Sequence, residues 1–147
     1  MTMQSAAAPR PLISPLRSLY ERTVPLSYAM VRVAAGLMIL PHGWPKLLRG
    51  PEAVIAGFAQ QGFHPAWLVG GLILFNETLG GIFLAAGFLT RLCAASIAIE
   101  MAVIAWGFEA QGYKQMEHVL MWSFITFALA LGGGGPYSID RKLGWEI

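Results

Sequence analysis

Residues 26–48 read LSYAMVRVAAGLMILPHGWPKLL. As a helix rising 1.5 Å per residue the stretch is about 35 Å long, enough to cross a hydrocarbon core of about 30 Å. One arginine interrupts its middle, and a histidine, a lysine and two prolines crowd its last eight residues. Such a run fits either a membrane span or the buried helix of a large soluble domain, and composition separates the two. Of the 147 residues 56% are hydrophobic and 12% charged, with a mean hydropathy of +0.57, against about a quarter charged in soluble domains. The chain therefore reads as one membrane domain.

Three further apolar runs follow, near 66–88, 91–108 and 117–133. They are continuous rather than alternating, which excludes transmembrane strands. The expected architecture is all-α: a polytopic four-transmembrane-helix bundle over 25–147, with spans at 26–48, 66–88, 91–108 and 117–133. Residues 1–13 read as a disordered cytoplasmic leader, without the apolar core of a signal peptide. Residues 14–24 read as a short interfacial helix opened by Ser14 and Pro15, with Leu16, Leu19 and Tyr20 opposite Arg17 and Glu21.

Arg10, Arg17, Arg22, Arg91, Arg141 and Lys142 fall on one side of these spans, and Lys46, Arg49 and Lys114 on the other. The positive-inside bias places both termini in the cytoplasm. Trp44, Trp67 and Trp106 then lie at the outer interface, where tryptophan is enriched. A net charge of +2 without a basic block excludes a nucleic-acid surface. Cys93, the lone cysteine, has no pairing or CxxC partner and reads as a small buried residue. Small residues along the spans, Gly36 and Gly81 among them, predict close helix contacts.

Arg32, Glu77 and Glu100 lie inside spans, where an unpaired charge costs at least about 2.5 to 3.5 kcal/mol. Both carboxyls fall roughly 14 to 15 Å from a membrane edge. Two readings stand side by side. Arg32 and a glutamate form an ion pair that fixes helix register, or two acids share one base so that one keeps a proton and relays it or binds a polar head group. A second cluster gathers at the outer side. His42 and Lys46 are four residues apart on one helix face, and Glu117 and His118 open the last span at the same level. Pro41 and Pro45 should bend that turn and free backbone carbonyls, while Gly43 admits a close neighbour. The cluster is either a capped helix end or a ligand pocket. No spacing matches a metal site, and no covalent cofactor is implied.

The segments VRVAAGLMILPHGWPKLL, NETLGGIFLAAGFLTRLCA, MEHVL and GGGGPYSIDRKLG together resemble the DoxX family of small four-helix bacterial inner-membrane proteins. The family pattern falls on Arg32, Gly36, His42, Gly43, Lys46, Glu77, Gly81, Gly87, Thr90, Arg91, Glu117, Ser138 and Asp140; Glu100 stands where an apolar residue is expected. Asp140 reads as an end cap that accepts from backbone amides or pairs with Arg91. The resemblance implies a redox-associated inner-membrane protein, some relatives being membrane subunits of thiosulfate:quinone oxidoreductase. Three functions follow as expectations. One is a redox subunit that holds a quinone between its helices and works with a partner redox protein or as a homo-oligomer. The others are a structural or assembly subunit and a small proton-coupled transporter.

Overall fold

The computed structural model describes residues 13–145, so the expected leader lies outside it except for Ile13. All regular structure among the described residues is helical. A short 3-10 turn, Ser14–Leu16, runs into α1, Arg17–Arg49. A separate interfacial helix over 14–24 is thus not formed. Good helix formers continue unbroken into the apolar run, and the helix passes Pro25, Pro41 and Pro45 without ending. The turn at Pro41 and Pro45, expected to bend, lies within the continuous helix. In lipid, packing against neighbouring helices makes up for the single amide that each proline withholds. Gly50, at φ 89°, ends α1.

The stretch 50–65, which separates the first two expected spans, contains α2, Pro51–Gln60. Pro51 sits at its start and Glu52 in its first turn, both favourable at a helix N-terminus. The second apolar run is α3, Ala66–Phe75, then a π-helical turn, Asn76–Gly80, then α4, Gly81–Ala86. Gly87, in the left-handed conformation, closes it. Next come α5, Thr90–Gly107, α6, Tyr113–Gly132, and the short α7, Ile139–Leu143. Helix α5 packs along α6, and α1 packs against α4 and the π turn.

Among the described residues three segments are long and apolar enough to cross a membrane: Arg17–Arg49, Ala66–Ala86 and Thr90–Gly107. Helix α6 has 20 residues but opens on Lys114, Glu117 and His118. The distribution of side chains points the same way. Large apolar groups such as Met30, Ile99, Trp106, Phe124 and Leu131 are exposed, while Arg32, Asn76, Glu77, Thr90, Glu100 and Asp140 are buried. In water that arrangement would lose the hydrophobic drive; in lipid it places polar groups where protein can satisfy them. The core is made of small and medium residues, Ala35, Ile39, Leu84, Cys93, Ala94, Ile97 and Leu129.

Candidate functional site

The site begins with two glycines seven residues apart on one face of α1. A Cβ at Gly36 would collide with the Gly81 carbonyl oxygen and the Ala85 amide nitrogen, and one at Gly43 with the backbone carbonyl of Glu77. Only hydrogen fits at either point, so α1 lies directly on the second span. The contact at Gly43 falls on the π turn. The extra residue in that turn brings Asn76 and Glu77 inward together, both buried. Lys46 is three residues beyond Gly43 and stands over the Glu77 carboxylate, its Nζ 2.5 Å from both oxygens. The Glu77 side chain is 4% exposed and that of Lys46 25%.

This ion pair forms part of the wall of a cavity of about 350 Å³ between α1, the π turn, α5 and α6. His42 and Lys46 face it from α1, Met101 from α5, and His118 and Trp122 from α6; most of the remaining wall is apolar. The His118 ring stands edge-on to Trp122 with centroids 6.4 Å apart. His42 and His118 are themselves exposed, which marks the open side of the cavity. A volume of this size falls in the range of small-molecule sites, and apolar walls with a few converging polar groups are the usual make-up of such sites. Behind Glu77, Glu100 accepts a hydrogen bond from Asn76 Nδ2 at 2.9 Å. Its other oxygen, Oε1, and Asn76 Oδ1 are buried without a partner.

Arg32 does not take part in this site. The expected pairing of Arg32 with Glu77 or Glu100 is not formed: Lys46, three residues beyond Gly43, occupies the Glu77 carboxylate, and Glu100 is bonded to Asn76. Arg32 instead donates to the carbonyl oxygens of Gly134, Tyr137 (2.8 Å) and Ala85 (3.4 Å). It ties the glycine-rich segment after α6 to the end of the second span, and a planar guanidinium with five donors suits several carbonyls at once. Next to it, Asp140 accepts from the Leu89 amide at 2.8 Å, the Thr90 amide at 2.9 Å and the Thr90 hydroxyl at 2.7 Å. Its carboxylate thereby caps α5 from fifty residues away, at the positive end of the helix dipole. Arg91 donates to the carbonyls of Ala130 and Leu131 at the end of α6. Of the two roles expected for Asp140, acceptance from amides is the one the geometry contains.

The structure therefore divides the residues singled out in the sequence into two places. His42, Lys46, Glu77 and His118 face one cavity, with Glu100 directly behind. Arg32, Arg91 and Asp140 form a clasp that joins helix ends. Gly36, Gly43 and Gly81 set the crossing that positions Glu77. Glu117 is exposed and is not part of the cavity wall. Sequence reasoning passed over Asn76, Trp122 and Met101. Asn76 had a signal, as a polar neighbour of Glu77 in an apolar run; Trp122 and Met101 had none, since such residues also face lipid. No group of three or more His, Cys, Asp or Glu able to hold a metal occurs among the described residues.

The DoxX family profile matches residues 27–110, which take in α1 from just after Leu26, the second span and α5. A protein of Haemophilus influenzae, known only as uncharacterized, is 28% identical over 130 residues, covering 83% of this chain and 94% of its own length. No solved structure matches the chain. The matched region contains the glycine crossing, the π turn, the Lys46–Glu77 pair and α5, while the part of the cavity wall that α6 supplies lies beyond it. The chain belongs to the DoxX family.

Proposed function

We propose that this DoxX-family membrane protein is a redox-associated subunit of the bacterial inner membrane that binds a quinone, or a lipophilic ligand of the same build, in the cavity beside Lys46 and Glu77. The observation that carries this reading is the cavity itself. It joins an apolar chamber to a partly buried ammonium–carboxylate pair and to two imidazoles at its open side. An apolar tail would lie among Ile97, Met101 and Ile104, and carbonyl oxygens of the head group would accept from Lys46, His42 or His118. A bound quinone supplies two-electron, two-proton chemistry; the electrons would come from a partner redox protein. The bias of the basic residues supports a cytoplasmic location for both termini, and the packing of α6 along α5 supports α6 as a fourth span.

The test is titration of the detergent-purified protein with a short-chain ubiquinone analogue, followed by quenching of tryptophan fluorescence. Trp122 on the cavity wall should give saturable quenching that Trp122→Phe reduces. Lys46→Met and His118→Ala should each weaken binding by about tenfold, the equivalent of about 1.4 kcal/mol. Absence of saturable quenching, or unchanged affinity in both variants, would sink the proposal.

A structural or assembly role is the second reading, favoured by the Arg32 and Asp140 clasp, whose buried polar groups serve packing alone. A proton-coupled transporter would need a polar path from Lys46 past Glu77 to Arg32. Arg32 has no part in the cavity wall, which favours the ligand reading over the transporter.

A further inference from the structure

Three carboxylate or amide side chains gather at and behind the cavity wall, and their hydrogen-bonding groups do not balance. Glu77, Asn76 and Glu100 are respectively 3%, 2% and 7% exposed. Glu77 has both oxygens on the Lys46 ammonium. Glu100 has one oxygen on the Asn76 amide and the other bare, and Asn76 has its own oxygen bare. Two carboxyls thus face a single ammonium, since Lys46 is the cation that acts on both. The other titratable groups near the cavity, His42 on α1 and His118 on α6, lie exposed at its open side and are not bonded to either carboxyl.

With both glutamates ionised the cluster would carry one uncompensated negative charge and one bare, buried carboxylate oxygen, a costly arrangement in a protein interior. One added proton removes both faults. It makes the cluster neutral, and it turns a bare acceptor on Glu100 into a hydroxyl that can donate to a neighbouring acceptor, the Glu77 carboxylate or Asn76 Oδ1. We infer that Glu77 and Glu100 form a proton-binding site in which one proton is held between the two carboxyls behind the Lys46 ion pair, with Glu100 as its resting place.

The site deepens the ligand reading and rests on it for its use: Glu77 lines the cavity and Glu100 does not, so the proton would pass from Glu100 to the Glu77 carboxylate and from there to a ligand oxygen. The step balances as one O–H bond broken on Glu100, one formed and broken on Glu77, and one formed on the ligand, leaving Glu100 as a carboxylate. The proton site itself requires no ligand and is tested without one.

The experiment is infrared spectroscopy of the ligand-free full chain in lipid at neutral pH, read at the carbonyl stretch of a protonated carboxylic acid. The wild type should show one such band, shifted in D2O. Glu100→Gln and Glu77→Gln should each abolish it, because either leaves one carboxylate with one ammonium. Lys46→Met should strengthen it, because two carboxyls then have no cation and both take up protons. Glu117→Gln, at an exposed position, should leave it unchanged. No band in the wild type, or a band that survives in either glutamine variant of the pair, overturns the inference. The wild-type spectrum alone decides the first point should a variant fail to fold. Because no ligand is added, failure here is separable from failure of the quinone titration.

Discussion

Replacement of Asp140 by alanine tests the clasp most directly. The carboxylate accepts from two backbone amides and one hydroxyl at 2.7 to 2.9 Å, and the residue is 7% exposed. Alanine leaves the Leu89 and Thr90 amides at the start of α5 without an acceptor, and each buried orphaned donor costs about 1 to 3 kcal/mol. It also removes an anion from the helix N-terminus, worth about 0.3 to 1 kcal/mol. The sum spans about 2 to 7 kcal/mol. Leu89 holds a left-handed φ of 47° that a leucine adopts at a cost, and Asp140 fastens its amide in that conformation. Water reaching the vacated space from the helix end would soften the loss, which puts the expected value near about 3 kcal/mol. Asparagine keeps one acceptor and should lose about half as much. The assay is unfolding in mixed micelles on titration with sodium dodecyl sulfate, followed by far-ultraviolet circular dichroism. Alanine within about 0.5 kcal/mol of wild type, or asparagine worse than alanine, would refute the account of Asp140 as the cap of α5.

Gly43→Val should prevent α1 from seating on the π turn, because even a Cβ collides with the Glu77 carbonyl; the expected loss is at least about 3 kcal/mol in the same assay, with ligand binding lost as well. Arg32→Lys keeps the charge but not the fork, so it should cost about 1 to 3 kcal/mol by leaving carbonyls of the 134–137 segment unpaired, while quinone affinity stays within twofold since Arg32 does not line the cavity. Gly87→Ala combines a φ of 72° with a Cβ only 2.6 Å from that of Ser138, and a fall in stability of more than about 1 kcal/mol is expected. His118→Ala, at an exposed position, should leave stability within about 0.5 kcal/mol while weakening the ligand, a split that a purely structural His118 would not produce.

The helical membrane character of this chain was legible from residues 26–48 and the composition, because it depends on the length and polarity of continuous runs, and both are properties of the chain alone. The residues worth watching were legible for a similar reason: a charge or a proline stands out against an apolar background wherever it falls. Their pairing was not. Arg32 and Lys46 are both basic residues of α1, and nothing in their spacing says which one meets Glu77. That choice depends on the π turn at Asn76–Gly80, which rotates Glu77 by one residue, and on Gly43, which lets the turn approach α1. The partners of Arg32 are carbonyls that side-chain patterns cannot reveal, more than fifty residues along the chain in every case.

The continuity of α1 through Pro25, which joins the expected interfacial helix to the first span, escaped a local reading. Whether His42, Lys46, Glu77 and His118 would share one space was equally open, since they come from three elements whose rotation about their own axes no run of residues specifies. Local chemistry along the chain thus sets what must be buried, what must span and where a helix can end. Side-chain direction, and with it the cavity, the ion pair and the bare oxygen of Glu100, arises only when the helices cross at the glycines and fix one another's rotation.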